Sequence, residues 1–298
     1  MKLRNYFLSL LVIASITSLQ SCKDDTDDGG SKPTQSISEY LISDGGYVEF
    51  MAALDAAGIT SKITGSGSFT LLAVSDAQLI DDGVDLSSMT NDEKAAFANY
   101  HFIGSKKSPG DFVNTGYTSS EATSATGGKL SIYTEVTGAS VRFNGKQANT
   151  NYEATNGMVY VLNGSLKQPT LIDHLANNPN LANYKIGVNT QSAIKTELEK
   201  SPNTVFAIND DDLVAYLETQ EVIRIGDLAP SAVRALLYNT LIYGKAYTSS
   251  QLQGTISTEG DDISATSGAD VMLNGDVKVI RKDIIGTNGV MHIIDDIL

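Results

Sequence analysis

The sequence predicts an α+β protein built from two tandem copies of one domain. The first observation is a repeated stretch in which Asn-Gly precedes a run of large apolar residues, at 156–166 and again 132 residues later at 288–298. The second is a repeated Thr-led apolar stretch, at 70–76 and 134 residues later at 204–210. Two spacings that agree within two residues indicate a duplication. Helix-like and strand-like patterns lie between these anchors, which gives the α+β class.

Each anchor predicts a buried strand. Asn-Gly tolerates a positive φ in a tight turn, and the apolar run after it is typical of a strand buried on both faces. The Thr-led stretches end at Ser75 and Asn209, two residue types that cap helix N-termini, and acidic residues follow both. We therefore expect a strand followed by a helix at this point of each copy.

The first 21 residues have the pattern of a secretory signal peptide. Lys2 and Arg4 supply positive charge, and the apolar run 7–19 is shorter than the roughly 20 residues that a bilayer requires. The run ends in Leu-Gln-Ser-Cys22, which resembles a bacterial lipobox. Cys22 is the only cysteine, so no disulfide can form within the chain. We expect Cys22 to carry a lipid; the alternative is an ordinary secretory peptide with an incidental cysteine.

Residues 22–35 predict a disordered acidic tether, because they carry charge, Gly and Pro but no large apolar side chain. The run from Lys23 to Asp28 resembles the export signal of surface lipoproteins in Bacteroidota, which implies an outer-membrane lipoprotein facing the cell exterior. A calcium loop is the alternative, but its twelfth position would be Gln35 and not the bidentate Glu that such loops use. The formal charge of −14 argues against nucleic acid as a partner.

Domain 1 is expected to span 36–167. An apolar stripe at helical spacing predicts its first helix, and a capping box formed by Thr90 and Glu93 opens another. Alternation at 129–134 and 140–143 predicts strands, and Asn144-Gly145 predicts the hairpin that follows them. The stripe consists of Tyr47, Phe50, Met51 and Leu54.

Domain 2 is expected to span 168–298, with hardly any linker between the two. Thr170 begins a helix, the stretch 177–180 interrupts it, and Pro230 suits the first turn of a later helix. Asn274-Gly275 repeats the hairpin signal of the first copy. Further helical turns are predicted at 190–200 and 210–217, and strands at 256–260, 271–273 and 277–280.

These residues resemble the fasciclin family. The stretch 70–76 matches the front block of the family, Thr-hydrophobic-hydrophobic-Ala-x-x-Asp, and the Asn-Gly anchors match its back block, Asn-Gly-x-x-His/Tyr. Between them, 97–104 is similar to the segment Leu-Leu-Tyr-His-Val-Val-x-Gly, and 236–244 is its counterpart. The resemblance covers nearly all of 36–298. It implies a β-sandwich or wedge with helices packed on one side of each domain, and a role in adhesion or recognition.

Few residues offer catalytic chemistry. His101, His174 and His292 lie in unrelated elements without metal-ligand spacing, so we expect no enzyme, no metal and no cofactor. His292 stands where the first copy has Tyr160, and we interpret it as a packing residue with one polar bond. Carboxylates are numerous enough that counting leaves a glycosidase open. We interpret Asp210 to Asp212 as charge at a helix N-terminus, and Asp295 and Asp296 as solvated.

Tyr100 and His101 are the candidate ligand-contact residues. In adhesive fasciclin proteins a Tyr-His pair flanked by apolar residues is linked with integrin binding, and the resemblance places that role on this pair. The second copy has Asn239 and Thr240 at the same position. The alternative is that Tyr100 is a core residue and that His101 caps a helix end, where a cation is favoured.

Three functions follow from these expectations. The first is a lipid-anchored adhesion protein that binds an extracellular matrix protein, a cell-surface glycan or another surface protein. The second is an accessory subunit of an outer-membrane complex, in glycan capture, glycan uptake or surface assembly. The third is a hydrolase.

Overall fold

The computed structural model describes residues 33–112, 116–200, 202–268 and 270–298. The predicted signal peptide, Cys22 and most of the predicted tether therefore lie outside the described residues. From Pro33 to Leu298 the chain forms one compact unit. Within that unit the same architecture occurs twice in succession.

The first copy, domain 1, begins with three helices and ends with the strand of the first Asn-Gly anchor. Its elements are α1 Ile37–Asp44, α2 Val48–Ala56, α3 Thr60–Thr64, β1 Phe69–Ala73, α4 Asp76–Asp81, α5 Asn91–Tyr100, β2 Phe102–Ile103, β3 Gly116–Thr123, β4 Lys129–Thr137, β5 Ser140–Phe143, β6 Lys146–Ala154 and β7 Gly157–Leu162.

The second copy, domain 2, repeats this order and ends with the second anchor. Its elements are α6 Leu171–Asn177, α7 Ala182–Thr190, α8 Ser192–Leu198, β8 Asn203–Ile208, α9 Asp210–Thr219, α10 Pro230–Asn239, β9 Leu241–Tyr243, β10 Gly254–Ser257, β11 Asp262–Thr266, β12 Met272–Leu273, β13 Val277–Gly286 and β14 Gly289–Ile294.

Each domain contains one seven-stranded sheet with the same strand order. The order is β2-β1-β7-β6-β5-β4-β3 in domain 1 and β9-β8-β14-β13-β12-β11-β10 in domain 2. The two anchors of each domain pair in parallel at the centre of the sheet, β1 with β7 and β8 with β14, and the other neighbours are antiparallel. The α+β class and the tandem repeat are therefore confirmed.

Local sequence signals account for many of the element ends. Asn144 and Asn274 adopt positive φ, 47° and 51°, in the two predicted hairpin turns. Ser75 and Asn209 cap α4 and α9 as expected. Among the described residues, three α-helices begin with a capping box, in which two side chains satisfy free backbone groups reciprocally: Ser36–Glu39, Thr90–Glu93 and Thr170–Asp173.

The asparagine that opens the anchor of domain 1 is a buried hub of backbone hydrogen bonds. Asn156 Oδ1 accepts a hydrogen bond from Ile37 N at the start of α1, at 2.9 Å. Its Nδ2 donates to the carbonyls of Ile63 and Gly65, at 2.7 and 2.9 Å. One amide side chain thus joins the first helix, the third helix and the closing strand.

Domain 2 repeats this hub with Asn288. Its Oδ1 accepts from Leu171 N at 2.9 Å, and its Nδ2 donates to Leu198 O at 2.7 Å. The next residue must be glycine, because a Cβ on Gly289 would lie 2.1 Å from Asn203 O in the parallel neighbour strand. The sequence predicts a turn at Asn-Gly; the structure adds that the asparagine side chain is structural.

A threonine in the parallel strand fixes the chain that leaves the outer strand of the sheet. Thr70 Oγ1 donates to Ser105 O and accepts from Lys107 N, both at 2.8 Å. Thr204 forms the matching pair of bonds with the segment after β9. This hydroxyl explains why both anchors begin with threonine.

Helix α7 is absent from the sequence prediction, which placed only an interruption before residue 190. Its N-terminus is capped from a distance: the Asp210 carboxylate accepts hydrogen bonds from Ala182 N and Asn183 N. Asp76 caps α2 in the same way. Because this cap lies 28 residues downstream, no local pattern around 182–190 announces the helix.

The two domains share apolar contacts. Tyr117 and Tyr133, on β3 and β4 of domain 1, pack into the core of domain 2, and Ile285 of domain 2 packs into the core of domain 1. Ile285 N donates to Ser131 Oγ at 3.0 Å, and Ser124 Oγ donates to a carbonyl at the end of β13. The domains therefore meet through a packed surface and not only through a linker.

No helix in the described part of the chain is both long and apolar enough to cross a membrane.

Candidate functional site

Tyr100 lies inside domain 1. Its side chain is fully buried, and its hydroxyl donates to Ser131 O at 2.9 Å and accepts from Asn144 Nδ2 at 2.7 Å. Burial raises the pKa of Tyr100 above its ordinary value. Tyr100 therefore ties the end of α5 to strand β4 and to the hairpin turn at Asn144.

His101 is also fully buried. Its Nδ1 donates to Phe97 O at 2.9 Å, and its Nε2 accepts from Leu166 N at 3.0 Å. The centre of the His101 ring lies 4.2 Å from the centre of the Phe97 ring and 5.7 Å from that of the Phe50 ring. Burial lowers the pKa of His101 to about 4, so the imidazole is neutral near pH 7.

The structure thus gives the candidate ligand-contact pair a structural position. Neither Tyr100 nor His101 exposes surface to a partner. His101 follows the last residue of α5, where the alternative interpretation expected a helix-capping cation. The expectation of a cation is wrong, because burial lowers the pKa of His101 and keeps its ring neutral. The ring instead forms a hydrogen-bonded bridge between α5 and the segment after β7.

His292 and Tyr160 perform the same structural task in the two copies. Tyr160 hydroxyl donates to Lys107 O at 2.8 Å, and His292 Nε2 donates to Tyr247 O at 2.9 Å. His292 Nδ1 also accepts from Asp283 N. The expected packing role is present, although the histidine makes two polar bonds and not one.

His174 lies at the domain boundary, in α6. It is fully buried, its Nε2 donates to Ile285 O at 3.1 Å, and its ring lies 5.6 Å from the ring of Tyr117 in domain 1. Its Nδ1 has no hydrogen-bond partner among the described residues. Burial lowers the pKa of His174 to about 4, so this ring is neutral as well.

Three of the five carboxylates singled out from the sequence accept hydrogen bonds from the backbone. Asp210 caps α7, and burial raises its pKa above the ordinary value in spite of the two bonds that it accepts. Asp295 accepts from Lys278 N, and Asp296 accepts from Ile297 N. Within the described ranges no group of three or more His, Cys, Asp or Glu side chains is arranged to hold a metal ion.

Arg281, on β13, crosses the domain boundary. Its Nη2 donates to Tyr117 O at 2.6 Å, and its guanidinium lies 5.8 Å from the centre of the Tyr117 ring. Burial lowers the pKa of Arg281, but arginine stays protonated in proteins. None of the ion pairs among the described residues involves Arg281.

Two adjoining cavities open around Arg281, and together we call them the interdomain groove. One has a volume of about 360 Å³ and runs between the domains; the other has about 280 Å³ and lies in domain 2. Both are lined by Asn178, Asn180, Arg281 and Ile293. The first also touches Tyr117, Tyr133 and Glu135, and the second Asn209, Asp210 and Asp211.

Sequence reasoning did not identify the groove. Arg281 and Tyr117 belong to strands 164 residues apart, and each reads as an ordinary residue in an alternating segment. A signal exists only in comparison between the copies: Tyr117 and Tyr133 correspond by strand register to Thr255 and Ser264. Aromatic residues in one copy alone indicate that only that face is covered.

Comparison with known proteins agrees with the tandem architecture. The fasciclin domain family matches residues 45–168 and 184–298. A solved structure described as a FAS1 domain pair from the insect cell adhesion molecule Fasciclin I is similar over 86% of this chain and 97% of its own, with a TM-score of 0.53 and 18% sequence identity. At that identity the likeness shows the fold alone.

Proposed function

Because the chain belongs to the fasciclin domain family, we propose that it is a non-catalytic adhesion or recognition protein. It binds an extracellular matrix protein or a cell-surface glycan through its fasciclin domains, and it is held on the outer face of an outer membrane by a lipid on Cys22. Fasciclin domains are typical of cell adhesion proteins, and the structural neighbour is described as a cell adhesion molecule.

The observation that carries the proposal is the packed pair of domains. Tyr117 and Tyr133 enter the core of domain 2, while Ile285 enters that of domain 1, so the pair offers one surface that runs across the boundary. A surface of this kind suits recognition. The three histidines support the non-catalytic part of the proposal, because each is buried, neutral and hydrogen-bonded to the backbone.

The binding proposal is tested with residues 23–298, the part of the chain that follows the lipid-carrying Cys22. We expect saturable binding to one class of immobilised matrix protein or to one class of glycan on an array. If well-folded protein binds neither class, the adhesion proposal fails. Recovery of a fixed set of membrane proteins after gentle solubilisation would then favour the accessory-subunit function.

The anchor is tested separately with Cys22→Ser. The short apolar run and the single cysteine support a lipid at this position, so the variant should leave the membrane fraction. Neutral replacements of residues 23–28 are the matched control, since they should keep membrane attachment and reduce protease access from outside. A Cys22→Ser variant that stays with the membrane would contradict the anchor.

A further inference from the structure

The interdomain groove has the size and the place of a ligand site. Its two cavities, of about 360 and 280 Å³, are joined through four shared lining residues. Small-molecule sites in proteins commonly have volumes of about 300–1,000 Å³ and are frequent at domain interfaces. The groove is therefore large enough for a small oligosaccharide.

Arg281 gives the groove a preorganised cation. Its guanidinium is oriented by Tyr117, through the carbonyl at 2.6 Å and through the ring below it. No carboxylate of the described residues forms an ion pair with Arg281. Because the planar guanidinium fork matches a carboxylate in two parallel hydrogen bonds, a ligand carboxylate is the group that it fits best.

The remaining side chains of the groove limit the charge of the ligand. Glu135 borders the cavity between the domains, and Asp211 borders the cavity in domain 2. Both carboxylates would repel a densely charged polymer, and the formal charge of the chain is −14. The exposed amide of Asn180 and these carboxylates can instead donate to and accept from neutral hydroxyl groups. The ligand is thus rich in hydroxyl groups and carries few negative charges.

We propose that the interdomain groove binds an acidic saccharide, with Arg281 receiving the carboxylate of one uronic acid unit and with Asn180, Glu135 and Asp211 meeting the hydroxyl groups. This inference rests on the proposed recognition function and specifies its ligand class. Both domains contribute to the site, because Tyr117 of domain 1 orients Arg281 of domain 2.

Isothermal titration calorimetry of residues 23–298 tests the proposal. The probes are oligosaccharides of two or three rings that contain glucuronate, galacturonate or mannuronate, each paired with its methyl ester. The ester keeps the rings and removes the negative charge. We expect one-to-one binding of at least one acid form, weakened about tenfold or more in its ester. Equal affinity for acid and ester, or no binding of any acid form, would overturn the proposal.

Variants locate the site. Arg281→Gln should weaken binding of the acid form by about tenfold to a hundredfold, and Arg281→Lys should recover part of the loss because it keeps the charge without the fork. Arg142→Gln is the matched control, an exposed arginine on β5 outside the groove, and its affinity should stay unchanged. If Arg281→Gln bound as tightly as the natural protein, the assignment would be wrong.

Asn180→Ala is the second variant, because the Asn180 side chain is exposed and its removal leaves the domain contacts intact. It should weaken binding of the acid form without changing the melting temperature, and it decides the question if Arg281→Gln does not fold. Unchanged affinity in Asn180→Ala would then count against the groove. Binding to a matrix protein that survives all these changes would leave the proposed function standing and overturn only the saccharide site.

Discussion

The two domains share an inner polar framework and differ at their outer edges. Asn156 and Asn288 occupy the same hub, and Thr70 and Thr204 hold the same segment. These residues satisfy backbone groups that no apolar side chain could satisfy, so the duplication retains them. The comparison teaches that this fold depends on a few buried polar residues. The residues on its outer faces, in contrast, depend on whether the other domain covers them.

One outer edge shows the difference most clearly. In domain 1, strands β3 and β4 carry Tyr117 and Tyr133, and domain 2 covers both rings. In domain 2 the corresponding residues are Thr255 and Ser264, and both are exposed. The same edge is therefore an interface in one copy and a polar surface in the other.

The opposite face differs in the reverse sense. Ile285 of domain 2 packs against domain 1, whereas the corresponding residue of domain 1 is Glu153, which is exposed and paired with Lys106. These positions are thus polar where no neighbouring domain covers them. Repeat proteins end their arrays in the same way, with polar outer faces on the terminal units.

Inside the domains, two residue differences between the copies compensate for each other at one packed site. His101 of domain 1 packs beside Phe50, while the corresponding Thr240 of domain 2 shares a hydrogen bond of 2.7 Å with Tyr184. A large ring and a small hydroxyl replace two rings of intermediate size. Buried volume and hydrogen bonds are both retained, although the residue types are not.

Acid should produce the largest difference in stability between the two domains. His101 and His174 have a pKa of about 4 in the folded chain and about 6.5 when unfolded, so the unfolded chain binds more protons between these values. Their stabilisation is complete above about pH 6.5 and is lost as the pH falls toward 4, by ~3 kcal/mol for each ring. Because domain 2 holds His174 and His292 and domain 1 only His101, domain 2 should open first.

Hydrogen exchange with mass spectrometry, between pH 7 and pH 4, resolves the two domains. His292→Tyr is the matched variant, since it installs the residue that domain 1 uses at Tyr160 and removes one titrating ring. It should narrow the difference between the domains. Loss of protection that begins in domain 1 would contradict the assignment.

The shared hub supports a second prediction. Asn156→Ala and Asn288→Ala should each destabilise the chain by about 3 kcal/mol, because each leaves buried backbone groups without partners. Asn156 serves three groups and Asn288 two of those described, so the first loss should be the greater. Urea unfolding of both variants beside Asn151→Ala, an exposed asparagine, measures the difference. Losses of stability no greater than that of Asn151→Ala would show that the asparagine hubs do not stabilise the fold.

The outer edge gives the smallest effect and the sharpest contrast. Tyr117→Ala should cost about 2–3 kcal/mol, since it empties a packed site between the domains, whereas Thr255→Ala should stay within about 0.5 kcal/mol. Urea unfolding reports both free energies, and small-angle X-ray scattering reports whether Tyr117→Ala loosens the pair. Similar costs for the two substitutions would mean that the two edges do not differ in the way described.

The sequence predicts what is local or repeated. The capping box of Thr90 and Glu93 and the two Asn-Gly hairpins are visible because neighbouring residues carry the whole signal, and the anchors are visible because they recur. Helix α7 is not visible, because the residue that caps it, Asp210, lies far along the chain. Glycine is also unfavourable inside a helix, and α7 contains Gly187. Glycine is needed there because a Cβ would lie 2.7 Å from Ile225 Cδ1.

The candidate site illustrates the same limit. Tyr100 and His101 stand out because their order matches a family pattern, yet order alone cannot tell a buried pair from an exposed one. Arg281 and Tyr117 meet only after both domains have folded, through contacts between strands far apart in the chain. A pattern read along the chain contains neither burial nor such contacts.

The shared core has a consequence for the order in which the chain acquires its structure. The N-terminal domain emerges first, whether from a ribosome or from a translocation channel, and its β3–β4 edge then presents Tyr117 and Tyr133 with nothing above them. At synthesis rates of about 5–20 residues per second, roughly 7–26 seconds pass before the remaining chain is complete. During that interval the molecule carries an open aromatic strand edge, the kind of surface on which nascent proteins aggregate. The C-terminal domain thus shields its predecessor.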